Sequence, residues 1–209
     1  METIKGGEFI IKESNSDAIF ISEEFNEEQQ MMKESIVDFI DQEVLPYRER
    51  FEAKDYAFTE ELMKKFGELG LLGISVPEEY GGLGMGFVTT MLVCDYVSGA
   101  SGSLATAYGA HTGIGTIPIV MYGTEAQKQK YVPKLASGEW FGSYCLTEPG
   151  AGSDANSGKT KAVLTKDQKH YKISGQKMWI SNAGFCNLMI VFARIEDDKN
   201  ISSFIVEYD

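Results

Sequence analysis

The sequence predicts an α+β protein, with an all-α N-terminal domain followed by an antiparallel β domain and the change falling near Gly138. Three observations carry this. Before Gly138, apolar residues recur three and four apart behind capping residues. After Trp140 they gather in short runs separated by turn-forming residues. Ser137 and Gly138 form a helix stop where the period changes, and no internal repeat or low-complexity tract interrupts either half.

Residues 1–25 read as a mixed leader with a short apolar patch, Ile19, Phe20 and Ile21, expected to run extended and to pack on the body. Residues 26–138 carry the helices. Asn26 offers an N-cap with Gln29 three residues on, and Met32, Ile36, Phe39, Ile40 and Val44 then follow at helical spacing until Pro46. A second helix is expected from a Thr59 cap, with Leu62, Phe66 and Leu69 on one face and Gly70 as its stop. Both stripes read as core. A loop over Pro77 to Gly86 precedes Phe87 to Ser98, which is so continuously apolar that it predicts a helix buried on most sides.

Ser103 to Tyr122 is dense in small residues: Ala105, Ala107, Gly109, Ala110, Gly113 and Gly115. Glycine weakens a helix by about 1 kcal/mol relative to alanine, so that density needs a cause. Close helix packing is one; room for an apolar ligand is the other. Thr124 with Gln127 then opens a further helix that closes at Ser137 and Gly138. Residues 139–209 read as the β domain, with strand-like runs at Trp140–Leu146, Ala162–Thr165, Tyr171–Ile173, Met178–Ile180, Leu188–Ile195 and Phe204–Val206. Turn signals such as Lys166 to Lys169 and Ser174–Gly175 separate them, as an antiparallel sheet requires.

Composition narrows the function. The chain has 209 residues, 43% of them hydrophobic, which is ample for a core. With 31 acidic against 19 basic residues, a net charge of −12 argues against a nucleic-acid partner. Cys94, Cys145 and Cys186 lack metal spacing and read as reduced thiols; with His111 and His170 as the two histidines, no metal site is expected. No segment has the apolar length of a membrane span, and the N-terminus shows no targeting pattern, so a cytoplasmic (bacterial) location is expected.

The stretch most suggestive of chemistry is Tyr144 to Ser157 with its companion Lys177 to Asn182. A short apolar run delivers the Thr147 hydroxyl, after which Pro149, Gly150 and Gly152 open the backbone and Ser153 adds a hydroxyl and an N–H. Such backbone N–H groups cradle phosphate oxygens where no Cβ intervenes, which points to a phosphate-bearing, flat cofactor. Two simpler motifs fail. Gly158-Lys159-Thr160 resembles the end of a P-loop, but Ser153 stands where its first glycine belongs. Gly81 to Gly86 misses the dinucleotide fingerprint because Phe87 replaces the third glycine.

The blocks CLTEPGAGSD (Cys145–Asp154) and GQKMWISN (Gly175–Asn182) resemble the flavin-contacting signature of the acyl-CoA dehydrogenases, in the same order and spacing. LGLLGISVPEEYGGLG (Leu69–Gly84), GAHTGIG (Gly109–Gly115) and YGTEAQKQKYVPKLASGEW (Tyr122–Trp140) extend the resemblance over nearly the whole chain. The GAH block and the leader are most similar to the very-long-chain branch. The resemblance implies a helical domain followed by part of a β-barrel-like middle domain. It also implies that the family's C-terminal helical domain, with the catalytic glutamate and much of the coenzyme A contact, is absent.

It further implies FAD as cofactor and a fatty acyl-CoA as substrate, oxidised between its α and β carbons to the trans-2-enoyl product. A carboxylate would take the α proton while the β hydrogen leaves as hydride to flavin N5. By the same resemblance Tyr144, Cys145, Leu146 and Thr147 lie along the flavin, with the Thr147 hydroxyl at its pyrimidine edge. Gly152 and Ser153 meet the pyrophosphate, Ser153 also reaches the acyl-CoA, Trp179 lies on the isoalloxazine face, and Ile180 and Ser181 follow it, the Ser181 hydroxyl donating toward N5. Gly109 and Gly113 would leave room for the acyl chain. No catalytic base is assigned in this chain, so alone it is expected to be inactive. An electron-transfer flavoprotein is the implied electron acceptor, and a homodimer or homotetramer the implied assembly. An acyl-CoA oxidase and a non-catalytic binding or association module remain the alternatives.

Taken one by one the residues also admit plainer roles: Thr147 as a turn cap, Trp179 as sheet core, Ser181 and Asn182 as turn formers. Glu148, a loop carboxylate beside proline, is expected to bond backbone or a basic partner rather than act as a base. His111 reads as a satisfied buried side chain, and Asp154 as an acceptor for N–H groups of its own loop.

Overall fold

A computed structural model describes residue 4, residues 6–15 and residues 18–208. The leader forms single 3₁₀ turns at Gly6–Ile10 and Ser22–Glu24. Its apolar side chains do not pack on the body as expected: Phe9, Ile10, Ile11, Ile19, Phe20 and Ile21 are all exposed. Runs this short and aperiodic present no face to bury; Phe20 meets the Phe25 ring, with centroids 5.4 Å apart.

Helix α1 (Glu27–Phe39) starts at the reciprocal Asn26–Gln29 cap and buries Ile36 and Phe39. A wide π turn at Ile40–Val44 keeps Ile40 and Val44 inward before Pro46 ends the run. After a short helix α2 (Arg48–Glu52), α3 (Tyr56–Glu68) begins earlier than expected, because the Asp55 carboxylate accepts the Phe58 N–H at 3.0 Å. Thr59, the expected cap, instead donates its hydroxyl back to the Asp55 carbonyl. Leu62 and Phe66 are buried as predicted, but Leu69 lies beyond the helix end and is exposed. Helix α4 (Phe87–Ala100) buries Leu92, Val93 and Val97, while its first turn leaves Phe87, Val88 and Met91 exposed, so it is not buried on most sides.

The small-residue segment folds as α5 (Gly102–Gly109), a wide turn at Ala110–Thr116 and α6 (Ile117–Tyr122). Its glycines divide by position. A Cβ on Gly115 would come within 3.1 Å of Gly142 Cα, so this glycine serves close packing of the wide turn on the sheet. Gly109 and Gly113 face open space. Helix α7 (Glu125–Ser137) has the expected reciprocal Thr124–Gln127 cap and ends on Gly138 at φ +75°.

Strands β1 (Gly142–Cys145), β2 (Lys161–Leu164), β3 (Tyr171–Ser174), β4 (Leu188–Ile195) and β5 (Ile201–Glu207) form one sheet. The order of helices then strands holds, but the sheet is mixed rather than antiparallel. β2–β3 and β4–β5 are antiparallel hairpins, whereas β1 and β2 both run parallel to β4. Long excursions join Cys145 and Leu164 to β4, and a parallel pair needs a crossover of about a dozen residues or more, not a tight turn. The expected strand at Met178–Ile180 is irregular backbone.

Two apolar clusters hold the layers. One joins α1, α3, α4 and α5 around Phe66, Leu104 and Tyr108 and includes Phe141 at the entrance to β1. The other sets Val132 and Leu135 of α7 against Leu188 and Ile190 of β4. The sheet is therefore seated on the helical layer where β1 begins.

Candidate functional site

β1 ends at Cys145, a buried thiol whose pKa burial raises. Strand alternation turns Tyr144 the other way, onto the Phe192 ring with centroids 4.9 Å apart. Leu146 and Thr147 are half-buried, and two backbone hydrogen bonds between Glu148 and Ala151, 3.0 and 3.1 Å, close the turn that follows. Gly152 and Ser153 are exposed, and a Cβ at Gly150 or Gly152 would meet nothing within 4 Å. Asp154 does not act as expected: its backbone carbonyl, not its carboxylate, accepts the Ser157 N–H and hydroxyl.

The second block lies beside the first. Met178 N–H donates to the Thr147 carbonyl at 3.0 Å, and Lys177 Nζ donates to the Leu146 carbonyl at 3.0 Å. The next residue, Trp179, has φ +60° and is 83% exposed. A bulky side chain in the left-handed region is an outlier, and a fully solvated indole contributes nothing to a core, so the sheet-core account of Trp179 does not hold. Ile180 and Ser181 are half-buried. Asn182, also left-handed at φ +66°, is buried and donates Nδ2 to the Ala107 carbonyl of α5 (2.9 Å) and the Gly142 carbonyl of β1 (3.2 Å). It is more than a turn former, since it fastens the Trp179 loop to both layers.

Ser181 and Asn182 line a cleft of about 580 Å³ together with Gly102, Ser103, Thr106 and Ala107 of α5 and with Tyr56 and Lys54. Gly109 and Gly113 are not among its lining residues. No carboxylate lines it either, among the described residues. The side-chain hydroxyls of Thr147, Ser153 and Ser181 have no hydrogen-bond partner among the described residues, which leaves three donors free around the loops.

Glu148 is 7% exposed, and its two oxygens accept from Lys159 N–H (2.6 Å), Thr160 N–H (3.0 Å) and Lys177 Nζ (2.8 Å). Burial pushes its pKa up, but the Lys177 ammonium and the two backbone donors outweigh that and bring it down to about 2. A carboxylate so saturated is a poor proton acceptor, in agreement with the sequence reading. His111 is fully buried between the layers: Nδ1 accepts the Gly142 N–H (3.0 Å), which leaves Nε2 as the donor to the Leu135 carbonyl (3.0 Å). Burial lowers its pKa to about 4, so it is neutral and structural. Sequence reasoning assigns no role to Lys177 and only a turn-forming one to Asn182. A basic residue four positions before a Ser–Asn turn, with an acid in the facing block, is the signal that could have paired Lys177 with Glu148.

Among the described residues no helix is long and apolar enough to cross a membrane, and no group of three His, Cys, Asp or Glu could hold a metal ion. A helical layer pinned to a mixed sheet, with an exposed indole on the loop that Asn182 fastens to both, defines an α+β module. The chain belongs to the acyl-CoA dehydrogenase family: its residues 26–139 match the acyl-CoA dehydrogenase N-terminal domain and residues 143–209 the middle domain. It is 47% identical to a probable acyl-CoA dehydrogenase of Bacillus subtilis over 97% of this chain and 34% of that protein. With the mitochondrial isovaleryl-CoA dehydrogenase of Solanum tuberosum it shares 40% identity over 88% of this chain and 45% of that one. The crystal structure of an acyl-CoA dehydrogenase complexed with FAD from Bacillus anthracis superposes with a TM-score of 0.93 at 45% identity, covering 99% of this chain and 36% of that one. The chain thus spans about a third to a half of the length of these relatives. They are general and isovaleryl enzymes, so the family is shown and the very-long-chain branch is not.

Proposed function

We propose that this chain supplies the flavin face and one wall of the substrate cleft of an FAD-dependent acyl-CoA dehydrogenase. The observation that carries the reading is Trp179: an indole 83% exposed, in a strained backbone, one residue from the Met178–Thr147 hydrogen bond and two from Ser181 in the cleft. Strain of this kind persists where a ligand uses the side chain, and a flat ring system is the ligand an open indole suits. The chemistry of the donor set fits FAD. Trp179 would lie on its ring, the backbone of Tyr144, Cys145 and Leu146 would run along it, and the Thr147 and Ser181 hydroxyls would donate to its edge, with Ile180 in the loop between. Gly152 and Ser153 take the pyrophosphate through open backbone, and Ser153 also reaches the acyl-CoA. FAD, when bound, supplies the two-electron acceptor for oxidation of the substrate's α and β carbons to the trans-2-enoyl thioester. This chain's residues would orient the acyl group, and no carboxylate among the described residues lines the cleft.

A long fatty acyl chain is the narrower form of the proposal; Gly109 and Gly113 face open space, but outside the lining of the Ser181 cleft, so the chain would have to extend beyond that cleft to use it. Electrons would pass to an electron-transfer flavoprotein, in a cytoplasmic homodimer or homotetramer. The test is to reconstitute the intact protein with FAD and follow the visible flavin band under acyl-CoA thioesters of increasing length. Bleaching without peroxide release supports the dehydrogenase, peroxide release selects an oxidase, and no bleaching with any thioester leaves a non-catalytic module. Gly113→Leu should shorten the preferred chain; an unchanged preference removes the longer-chain reading.

A further inference from the structure

We infer that Glu148 and Lys177 form a positioning pair that sets the Trp179 backbone against the Thr147 turn, an inference that rests on the flavin reading above for its functional meaning. Neither residue would touch the cofactor. The carboxylate joins three segments that are distant in sequence: its own turn after β1, the Lys159–Thr160 lead into β2, and Lys177 at the start of the Trp179 loop. Lys177 Nζ adds a second bond, to the Leu146 carbonyl, so the ammonium bridges both sides of Thr147. The Met178–Thr147 backbone bond lies directly beside this bridge and is the single described backbone link between the two blocks.

Both partners are sheltered, Lys177 at 13% and Glu148 at 6% side-chain exposure, where a pair is screened little and loss of one partner strands the other. Exposed ion pairs of this chain, such as Lys64–Glu60, have no such leverage. The cost of holding Trp179 at φ +60° must be met by contacts that over-determine its neighbours. On its C-terminal side Asn182 does so, through Ala107 and Gly142. On its N-terminal side the Glu148–Lys177 pair is the matching anchor.

The test uses the intact protein with Trp140→Phe as background, and with any indole outside residues 1–209 replaced by phenylalanine likewise, so that Trp179 is the remaining indole. Lys177→Met is expected to weaken FAD binding at least tenfold in a fluorescence titration, and to change acrylamide quenching of Trp179 in the FAD-free protein by more than a third. Glu148→Asp keeps the charge but is one methylene too short to serve Lys177 and both amides together. It should fold and show the same two effects in smaller measure, about threefold in affinity, and it carries the test if Lys177→Met does not fold. If both variants lower thermal stability yet leave FAD affinity within twofold and Trp179 quenching unchanged, the pair is merely structural and the inference is overturned. If the parent protein does not bind FAD but the quenching still changes, the flavin reading fails while the positioning role stands.

Discussion

Lowering the pH from 7.5 to 4 should weaken the fold through His111, and the size of the effect follows from its surroundings. The ring is fully buried and neutral, with one nitrogen accepting from Gly142 and the other donating to Leu135. Burial disfavours the charged ring, only partly offset by the bond to the Leu135 carbonyl, so the folded state resists protonation and the pKa falls from 6.5 to about 4. The unfolded chain has no such restraint and binds its proton near pH 6.5. Because the folded pKa is the lower one, the unfolded state holds more protons between these values, and stability falls as pH drops through that window. Below the folded pKa both states are protonated and this contribution stops changing. The slope is about 1.4 kcal/mol per pH unit, and the whole window amounts to roughly 3 kcal/mol.

Urea unfolding followed by circular dichroism at half-unit pH steps measures this directly, with His111→Asn as the control. Asparagine can still accept from Gly142 N–H but loses the donor to Leu135, whose carbonyl keeps the Gly138 N–H at 3.3 Å. The variant should therefore start about 1 kcal/mol less stable at pH 7.5. It lacks the titrating group, so its curve should be flat between pH 6.5 and about 5, where the wild-type curve descends and meets it. Carboxylates titrating below this range act on both proteins alike, and the exposed His170 is common to both. Parallel curves for the two proteins from pH 6.5 to 4 would falsify the account of His111 as a buried neutral joint.

Three further outcomes follow from the backbone. Gly109→Ala should stabilise the chain by about 0.5–1 kcal/mol, since it adds a helix-favouring Cβ in open space, whereas Gly115→Ala should cost about 1–3 kcal/mol by forcing the wide turn off Gly142; thermal unfolding of the pair tests whether the two glycines really differ. Trp179→Gly should change the stability of the FAD-free protein by no more than about 1 kcal/mol, because relief of the positive φ offsets the added chain entropy, while a loss of ~3–5 kcal/mol would mean that the indole is packed after all. Asn182→Ala should be less stable than Asn182→Gly by about 1 kcal/mol, since both lose the bonds to Ala107 and Gly142 but alanine alone also bears the left-handed backbone; equal stabilities in urea would remove the strain from the argument.

What could be read from the sequence was set by local rules. The Asn26–Gln29 and Thr124–Gln127 caps, the Gly138 stop and the Leu188–Ile195 strand depend on near neighbours, and each stands where the pattern put it. Strand sense was not legible, because the parallel pairing of β1 and β2 with β4 is decided by partners far along the chain. The Thr59 cap was lost to a competitor four residues nearer the N-terminus, Asp55, whose charged oxygen is the stronger acceptor. Met178–Ile180 has strand composition, yet Trp179 is drawn into a left-handed turn that no propensity favours.

That last failure is informative, because a segment held against its local preference needs restraint from outside itself. Glu148, Asn182 and His111 provide it: three buried polar side chains, each bonded to at least two different segments, Glu148 through the Lys159 and Thr160 N–H groups and the Lys177 ammonium. A buried polar group left half-satisfied is costlier than none, so such residues fix one relative placement of the segments they join rather than merely adding stability. Apolar packing of Leu135 on Leu188 would tolerate small sliding of α7 along β4, since dispersion contacts have little directionality. A histidine that must meet both the Leu135 carbonyl and the Gly142 N–H would not. The helical wall of the cleft and the loops after β1 are thereby held in one register before any ligand arrives, which is what orienting a substrate against a cofactor face requires.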